Sequence, residues 1–155
     1  MKRWRRARQH DMAQVIDWID SPRQLEYWAG PGLSWPLEQR RLWREIDGAW
    51  LRSRALSGDG HLLAFGQISL RAHRRCHLAR ILVAPGHRGQ GLGEELCRHL
   101  IHEARDRLQA QRITLNVFHD NHAARRLYHR LGFIESGTLD ERGIQPMILL
   151  TDEMP

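Results

Sequence analysis

The sequence predicts a mixed α/β domain, and three stretches carry that reading. Residues 76–118 run as an apolar strand, a glycine-rich turn, a long amphipathic helix and a second apolar strand. Two strands joined through a helix are expected to be parallel neighbours with a right-handed crossover. Residues 49–56 and 61–72 read as strands on either side of Ser57-Gly58-Asp59-Gly60, which is a hairpin signal. Two shorter strands, "FIESG" at 133–137 and "IQPMILL" at 144–150, close the chain. One sheet therefore mixes parallel and antiparallel pairs.

Each element has its own local reason. "MKRWRRAR" alternates weakly and suits an edge strand. "DMAQVIDWID" follows, with Asp11 as the expected N-cap and Met12, Val15, Ile16 and Ile19 at helical spacing. Residues 21–36 read as a loop, broken by Pro22, Gly30, Pro31, Gly32 and Pro36. "LEQRRLWREID" is a second helix before Gly48. "CHLARILV" is an apolar strand that ends at Pro85. Beyond the glycines, Leu92, Leu96, Leu100, Ala104 and Leu108 mark one face of a long helix. "RITLNVF" alternates as a strand, and "NHAARRLYHRLG" is a short helix capped by Asp120 or Asn121 and stopped by Gly132.

Composition narrows the class. A chain of 155 residues fits one domain, 1–155, with a single sizeable core. Hydrophobic residues make up 41% and charged residues 27%, as in ordinary globular proteins. No apolar run approaches the roughly 20 residues of a membrane span, and "MKRWRRARQH" lacks the apolar centre of a signal peptide. Cys76 and Cys97 form no disulfide framework, so buried thiols in a reducing cytoplasm are expected. The net charge is +6, and Lys2 is the only lysine. The arginines are scattered in short clusters, which reads as a solvated surface rather than a nucleic-acid stripe.

The chemistry sits in "LVAPGHRGQGLGEEL", residues 82–96. A strand, a glycine-rich turn and a helix N-terminus put free backbone N–H groups and a positive helix end at one point. Glycines let phosphate oxygens reach those amides. A Walker loop needs a lysine before Ser or Thr, and this loop has none. A dinucleotide fingerprint starting at Gly89 needs a small residue where Glu94 stands, within a doubly wound parallel sheet that this element order does not give. Coenzyme A is the third phosphate user such a loop suits, with its pyrophosphate on the amides from Arg88 to Gly93; a plain tight turn is the other reading, and it does not need three glycines at alternate positions.

"Arg88-Gly89-Gln90-Gly91-Leu92-Gly93" resembles the R/Q-x-x-G-x-G/A motif of the GNAT superfamily of acyl-CoA-dependent N-acetyltransferases. The preceding "ILVAP" and the later "NHAARRLYHRLGF" are similar to that family's fourth strand and its N-x-x-A-x-x-L-Y-x-x-L-G-F segment. The resemblance is strongest over residues 76–134 and implies a single-domain GNAT fold, a mixed central sheet flanked by helices. In that fold the fourth and fifth strands are parallel and splay apart.

The resemblance also implies roles, position by position. The pantetheine arm of acetyl-CoA would pair with strand backbone at Ile81, Leu82 and Val83, and its pyrophosphate would lie on Arg88, Gly89, Gln90, Gly91, Leu92 and Gly93. Asn121 matches the asparagine that contacts the CoA arm, and Tyr128 the tyrosine beside the thioester sulfur, a candidate acid for the leaving thiolate. Backbone N–H around Val83 would meet the oxyanion. A glutamate used as base in one subgroup is replaced by Asn116, which cannot take a proton. His77 occupies the base position of histone-type members and can titrate. The alternative is water with no dedicated base.

The acceptor is less legible. Residues 27–43 hold Tyr27, Trp28, Trp35 and Trp43, with carboxylates at Glu26 and Glu38. Aromatic faces and carboxylates suit an amine, and plain packing explains the aromatics as well. The implied activity is acetyl transfer to a small-molecule amine or a peptide or protein amine, with acetyl-CoA as co-substrate and no metal. Neither a membrane nor a nucleic acid is expected as partner, and a homodimer is compatible with the fold. The alternatives are a non-catalytic acyl-CoA sensor and a basic nucleic-acid-associated domain of the same fold.

Overall fold

A computed structural model describes residues 1–153. Its strands are β1 (Lys2–Arg6), β2 (Arg52–Gly58), β3 (His61–Ala72), β4 (Arg75–Val83), β5 (Arg112–Phe118), β6 (Ile134–Glu135) and β7 (Ile144–Leu150). Its helices are α1 (Met12–Asp17), α2 (Pro22–Ala29), α3 (Gln39–Glu45), α4 (Leu92–Asp106) and α5 (His122–Arg130). The strands form one sheet in the order β1-β2-β3-β4-β5-β7-β6. β4 and β5 pair in parallel, as the strand–helix–strand reading requires. β1 with β2, β5 with β7 and β6 with β7 are antiparallel.

The chain divides into two compact units whose boundaries cut β3 after Gln67 and β4 after Ala79. The first comprises residues 1–67 and 80–96. Its core gathers Met12 and Val15 of α1, Leu25 of α2, Leu42 of α3, and Ala55 and Phe65 of the strands. Met12, Val15 and Phe65 are fully buried, and each such large apolar side chain contributes about 1.5–3 kcal/mol. The second unit comprises residues 68–79 and those from 97 onward. There β5 buries Ile113, Thr114, Leu115 and Val117, and Met147 and Leu149 of β7 are buried at a period of two.

The turn between β2 and β3 narrows to Asp59 and Gly60, with φ of +52° and +79°. Two left-handed residues make the tight hairpin turn whose twist suits the strands. β2 itself starts at Arg52, because residues 49–51 belong to the turn that follows α3. α4 ends at Asp106, so Leu108 lies outside the helix. β6 keeps only two of the five residues expected to be strand.

Two local expectations fail for physical reasons. Residues 21–36 are not all loop: Pro22–Ala29 form α2. The Ser21 hydroxyl accepts from Gln24 N at 3.2 Å, and Pro22 occupies the first helical position, where its missing N–H costs nothing. Read as a breaker, Pro22 is in fact a starter. Asp11 does not cap α1 through its side chain. It is buried and takes both Arg5 guanidinium nitrogens at 2.9 and 2.8 Å, together with Arg8 N at 2.8 Å. Burial pushes its pKa up, but the Arg5 and Arg8 hydrogen bonds outweigh that and hold it below the ordinary aspartate value.

Candidate active site

The first unit carries the glycine loop. Ala84 N donates to Leu63 O on β3 at 2.8 Å. Backbone groups of alternate residues point to opposite edges of a strand, so those of Val83 and Ile81 face away from β3. After Val83 comes a short 3-10 turn, Pro85–His87, and then the run from Arg88 into α4 at Leu92. Residues 85–91 are all exposed. Gly89 and Gly91 have φ of +78° and +80°. A Cβ on Gly86, Gly89 or Gly91 would meet no atom within 4 Å.

Two different demands separate these glycines. Gly89 and Gly91 are required by a left-handed backbone that L side chains rarely adopt. Among the described residues no atom lies within 4 Å of a Cβ built there, so the loop presents bare backbone outward. Leu92 and Gly93 then open α4, whose first N–H groups have no intrahelical acceptor. Glu94 and Glu95 sit in that first turn, and Glu95 is engaged by Lys2 at 2.6 Å. Arg88 Nε makes a long contact of 3.4 Å to Val83 O, and the arginine side chain is exposed. Gln90 is exposed beside it. The ensemble is an amide-lined rim beside the exposed Arg88, of the kind that binds phosphate.

The second unit holds the other candidate residues. Asn121 caps α5, its Oδ1 accepting from Ala124 N at 3.3 Å. Tyr128 is buried in α5, edge-on to Phe133 with ring centroids 6.0 Å apart. Burial drives the phenol far above its ordinary pKa, and Cys97 pushes in the same direction. Burial thus favours the neutral phenol over the phenolate.

The parallel ladder places His77 opposite Thr114. His77 Nδ1 lies 2.8 Å from Thr114 Oγ1, and that hydroxyl donates to Cys76 O at 3.4 Å. Which of Nδ1 and Oγ1 donates in the first contact depends on the imidazole tautomer. Asn116 is exposed on β5 and has no titratable proton.

The aromatic segment divides in two. Trp28 meets Phe65 edge-on at 6.2 Å, and Trp28 and Trp43 pack against the first unit's core. Tyr27 and Trp35 remain 40% and 41% exposed, so they alone of the four can offer a large face to a ligand. Glu38 is spent on α3, where its carboxylate accepts from Arg40 N at 3.0 Å and Arg41 N at 2.8 Å. Those backbone bonds lower its pKa, the bond from Arg41 most of all. Glu26 is exposed and forms no ion pair among the described residues.

Sequence reasoning missed one residue of this region. Arg80, in the middle of β4, has φ of +54°. No residue-type signal marks a left-handed arginine, because the cause lies in side chains contributed by other strands.

The Acetyltransferase (GNAT) family matches residues 12–133. The chain belongs to that family. Streptothricin acetyltransferase of Streptomyces lavendulae is 40% identical over 84 residues, covering 54% of this chain and 44% of that enzyme. Spermine/spermidine N(1)-acetyltransferase of Bacillus subtilis (strain 168) is 31% identical over 97 residues, covering 58% of this chain and 64% of that enzyme. The chain thus matches less than two thirds of the length of either relative. Among solved structures, the ribosomal-protein-S18-alanine N-acetyltransferase from Escherichia coli superposes with a TM-score of 0.72 at 25% identity, covering 97% of this chain and 94% of that one. Spermidine N-acetyltransferase from Vibrio cholerae, in complex with CoA and spermine, gives 0.77 at 21% identity and covers 98% and 96%. That second likeness establishes the GNAT fold.

Proposed function

We propose that this GNAT protein moves the acetyl group of acetyl-CoA onto the primary amine of a small molecule. The loop carries the reading: Gly89 and Gly91 are left-handed, have open space above them and lead into α4 behind Arg88. In this reading the pyrophosphate lies on the amides of residues 88–93, and Arg88 leaves Val83 O to meet it. The outward backbone of Ile81 and Val83 satisfies the pantetheine amides as a neighbouring strand would, with Leu82 between them. The role of Asn121 is to contact the CoA arm while it caps α5. The relatives that act on streptothricin and on spermine or spermidine support a small, cationic acceptor. We assign residues 1–155 to one catalytic domain working in the cytoplasm.

The chemistry follows from the groups available. A neutral amine attacks the thioester carbonyl, and Val83 N–H donates to the developing oxyanion. Tyr128 is assigned as the acid that protonates the thiolate as the C–S bond breaks, a transfer that its burial opposes, and solvent returns the phenol's proton. His77 accepts the proton that the amine must lose, directly or through water.

The reading is tested by an acetyl-CoA turnover screen across polyamines, aminoglycoside-like amines, amino acids and N-terminal peptides, following free thiol. Thiol release with a small amine is expected. Tight acetyl-CoA binding with no turnover would make the protein a sensor, and turnover confined to peptides would move the acceptor class. Tyr128→Phe should cut kcat on the order of tenfold to a hundredfold, with acetyl-CoA affinity little changed. His77→Ala should remove an acidic limb that is the same for two acceptors of different basicity. A limb that instead follows the acceptor and survives in His77→Ala assigns the proton to water.

A further inference from the structure

β4 changes character at Arg80. Cys76 and Leu78 are buried between partly open neighbours, and from Ala79 to Val83 the alternation stops. The left-handed Arg80 lies at this break. An L side chain stays in that conformation only where its surroundings hold it.

The surroundings are a buried relay within the first unit. Arg80 Nη1 donates to Gln67 Oε1 at 2.9 Å. Gln67 Nε2 donates to Ile46 O at 3.0 Å and to Ser53 Oγ at 2.9 Å. Ser53 Oγ in turn donates to Gly48 O at 2.8 Å. Gln67 is 0% exposed and Ser53 2%. With both amide hydrogens spent on oxygens, the amide has one orientation, and Oε1 is left as the acceptor for Arg80. Leu62, Ala64, Phe65 and Ile68 show what β3 otherwise buries, so a glutamine there departs from the strand's own pattern. Its contacts account for it: it ties the turn after α3, strand β2 and the break in β4 into one unit.

We propose that Gln67, seated on Ser53, is a positioning residue for acetyl-CoA. It holds Arg80 left-handed and so sets the direction in which the Ile81 and Val83 backbone faces the pantetheine arm. The proposal rests on the acetyltransferase reading above.

The test is a mutant cycle read by calorimetry with CoA and by steady-state kinetics. Gln67→Leu removes the amide and should raise the CoA Kd and the acetyl-CoA KM about tenfold, the loss of one hydrogen bond to a charged group. At saturating acetyl-CoA, kcat should stay within about threefold of wild type. Glycine adopts a positive φ without support. Arg80→Gly should therefore bind CoA like wild type and should restore affinity when combined with Gln67→Leu. If Gln67→Leu does not fold, Ser53→Ala is the gentler arm, with a loss of about threefold that Arg80→Gly again restores. An unchanged Kd in Gln67→Leu or Ser53→Ala overturns the proposal. So does a raised Kd that Arg80→Gly fails to rescue, because lost packing alone predicts no rescue. Wild-type protein that binds no CoA would instead overturn the acetyltransferase reading itself.

Discussion

A Cβ added at Gly89 or Gly91 would enter open space, whereas one added at Gly48 would fall 2.2 Å from the Trp43 ring. Both regions need glycine, for unrelated reasons. In the donor loop, residues 85–91, the backbone conformation demands it, and the exposed surface is the working part. In the segment that leads from α2 to β2, packing demands it: Trp28, Leu33, Leu37 and Trp43 cover the core and leave Tyr27 and Trp35 partly open. A region whose function is carried by backbone can lose its ligand without losing its fold. A region whose function rests on packed side chains cannot be separated so cleanly.

Gly91→Asp should give the largest effect and the cleanest separation. The substitution forces a Cβ onto φ of +80° and puts a carboxylate where the pyrophosphate is expected. A left-handed L residue costs roughly 1–2 kcal/mol, and like-charge contact with phosphate adds to it. Acetyl-CoA affinity should fall on the order of a hundredfold or more, while the melting temperature moves by only a few degrees, ~4 °C per kcal/mol. Unchanged affinity in the folded variant would mean that the loop does not hold the phosphates.

Arg5→Ala should do the converse, costing stability and sparing the donor site. It strands the Asp11 carboxylate, which is 1% exposed at the side chain, opposite a lost partner 2.8 Å away. Removing one member of a buried pair costs about 3 kcal/mol. The pH dependence has a definite sign. In wild type the Asp11 pKa is lowered on folding, so its stabilisation is present above the unfolded aspartate value, ~3.9, and is lost as pH falls through the lower folded value. In Arg5→Ala the desolvated carboxylate loses its strongest compensation, so acidification relieves part of the penalty. Urea titrations at pH 7 and pH 4 should therefore show the gap between the two proteins narrowing. A gap that widens at pH 4 would mean that Asp11 is not the group left uncompensated.

The same contrast explains what was legible. The ranges of β3, β5 and β7 can be read from the chain, because β3 and β5 are apolar runs bounded by polar or turn residues and β7 buries Gln145, Met147 and Leu149 at a period of two. The donor motif is legible because left-handed turns leave glycines at 89 and 91. Asp11 misled because an aspartate before an apolar run looks like a cap, and its true partner, Arg5, comes from the preceding strand. Arg80 and Gln67 are hidden for the same reason, 13 positions apart and joined by one hydrogen bond. The two units, interleaved along the chain, leave no composition shift that would mark their boundaries.

The smallest expected effect decides whether the open half of the aromatic segment serves the acceptor at all. Glu26 and Tyr27 are neighbours on α2, both exposed, and Glu38 is already committed to the α3 N-terminus. If a cationic acceptor passes this surface, Glu26 attracts it through water and Tyr27 offers a ring face. An exposed ion pair contributes about 0.2–1 kcal/mol and an exposed cation–π contact about 0.5–1 kcal/mol. Glu26→Gln and Tyr27→Ala should each raise acceptor KM by about twofold to fivefold, with CoA affinity and kcat at saturating acceptor unchanged. The two differ in their response to salt. The Glu26→Gln effect should fade between low salt and ~0.5 M, because screening removes an exposed charge interaction beyond a few ångströms. The Tyr27→Ala effect should persist longer, since part of it is contact with the ring. Acceptor KM values that match wild type for both variants at low salt would leave α2 as a packing helix, with amine recognition built elsewhere.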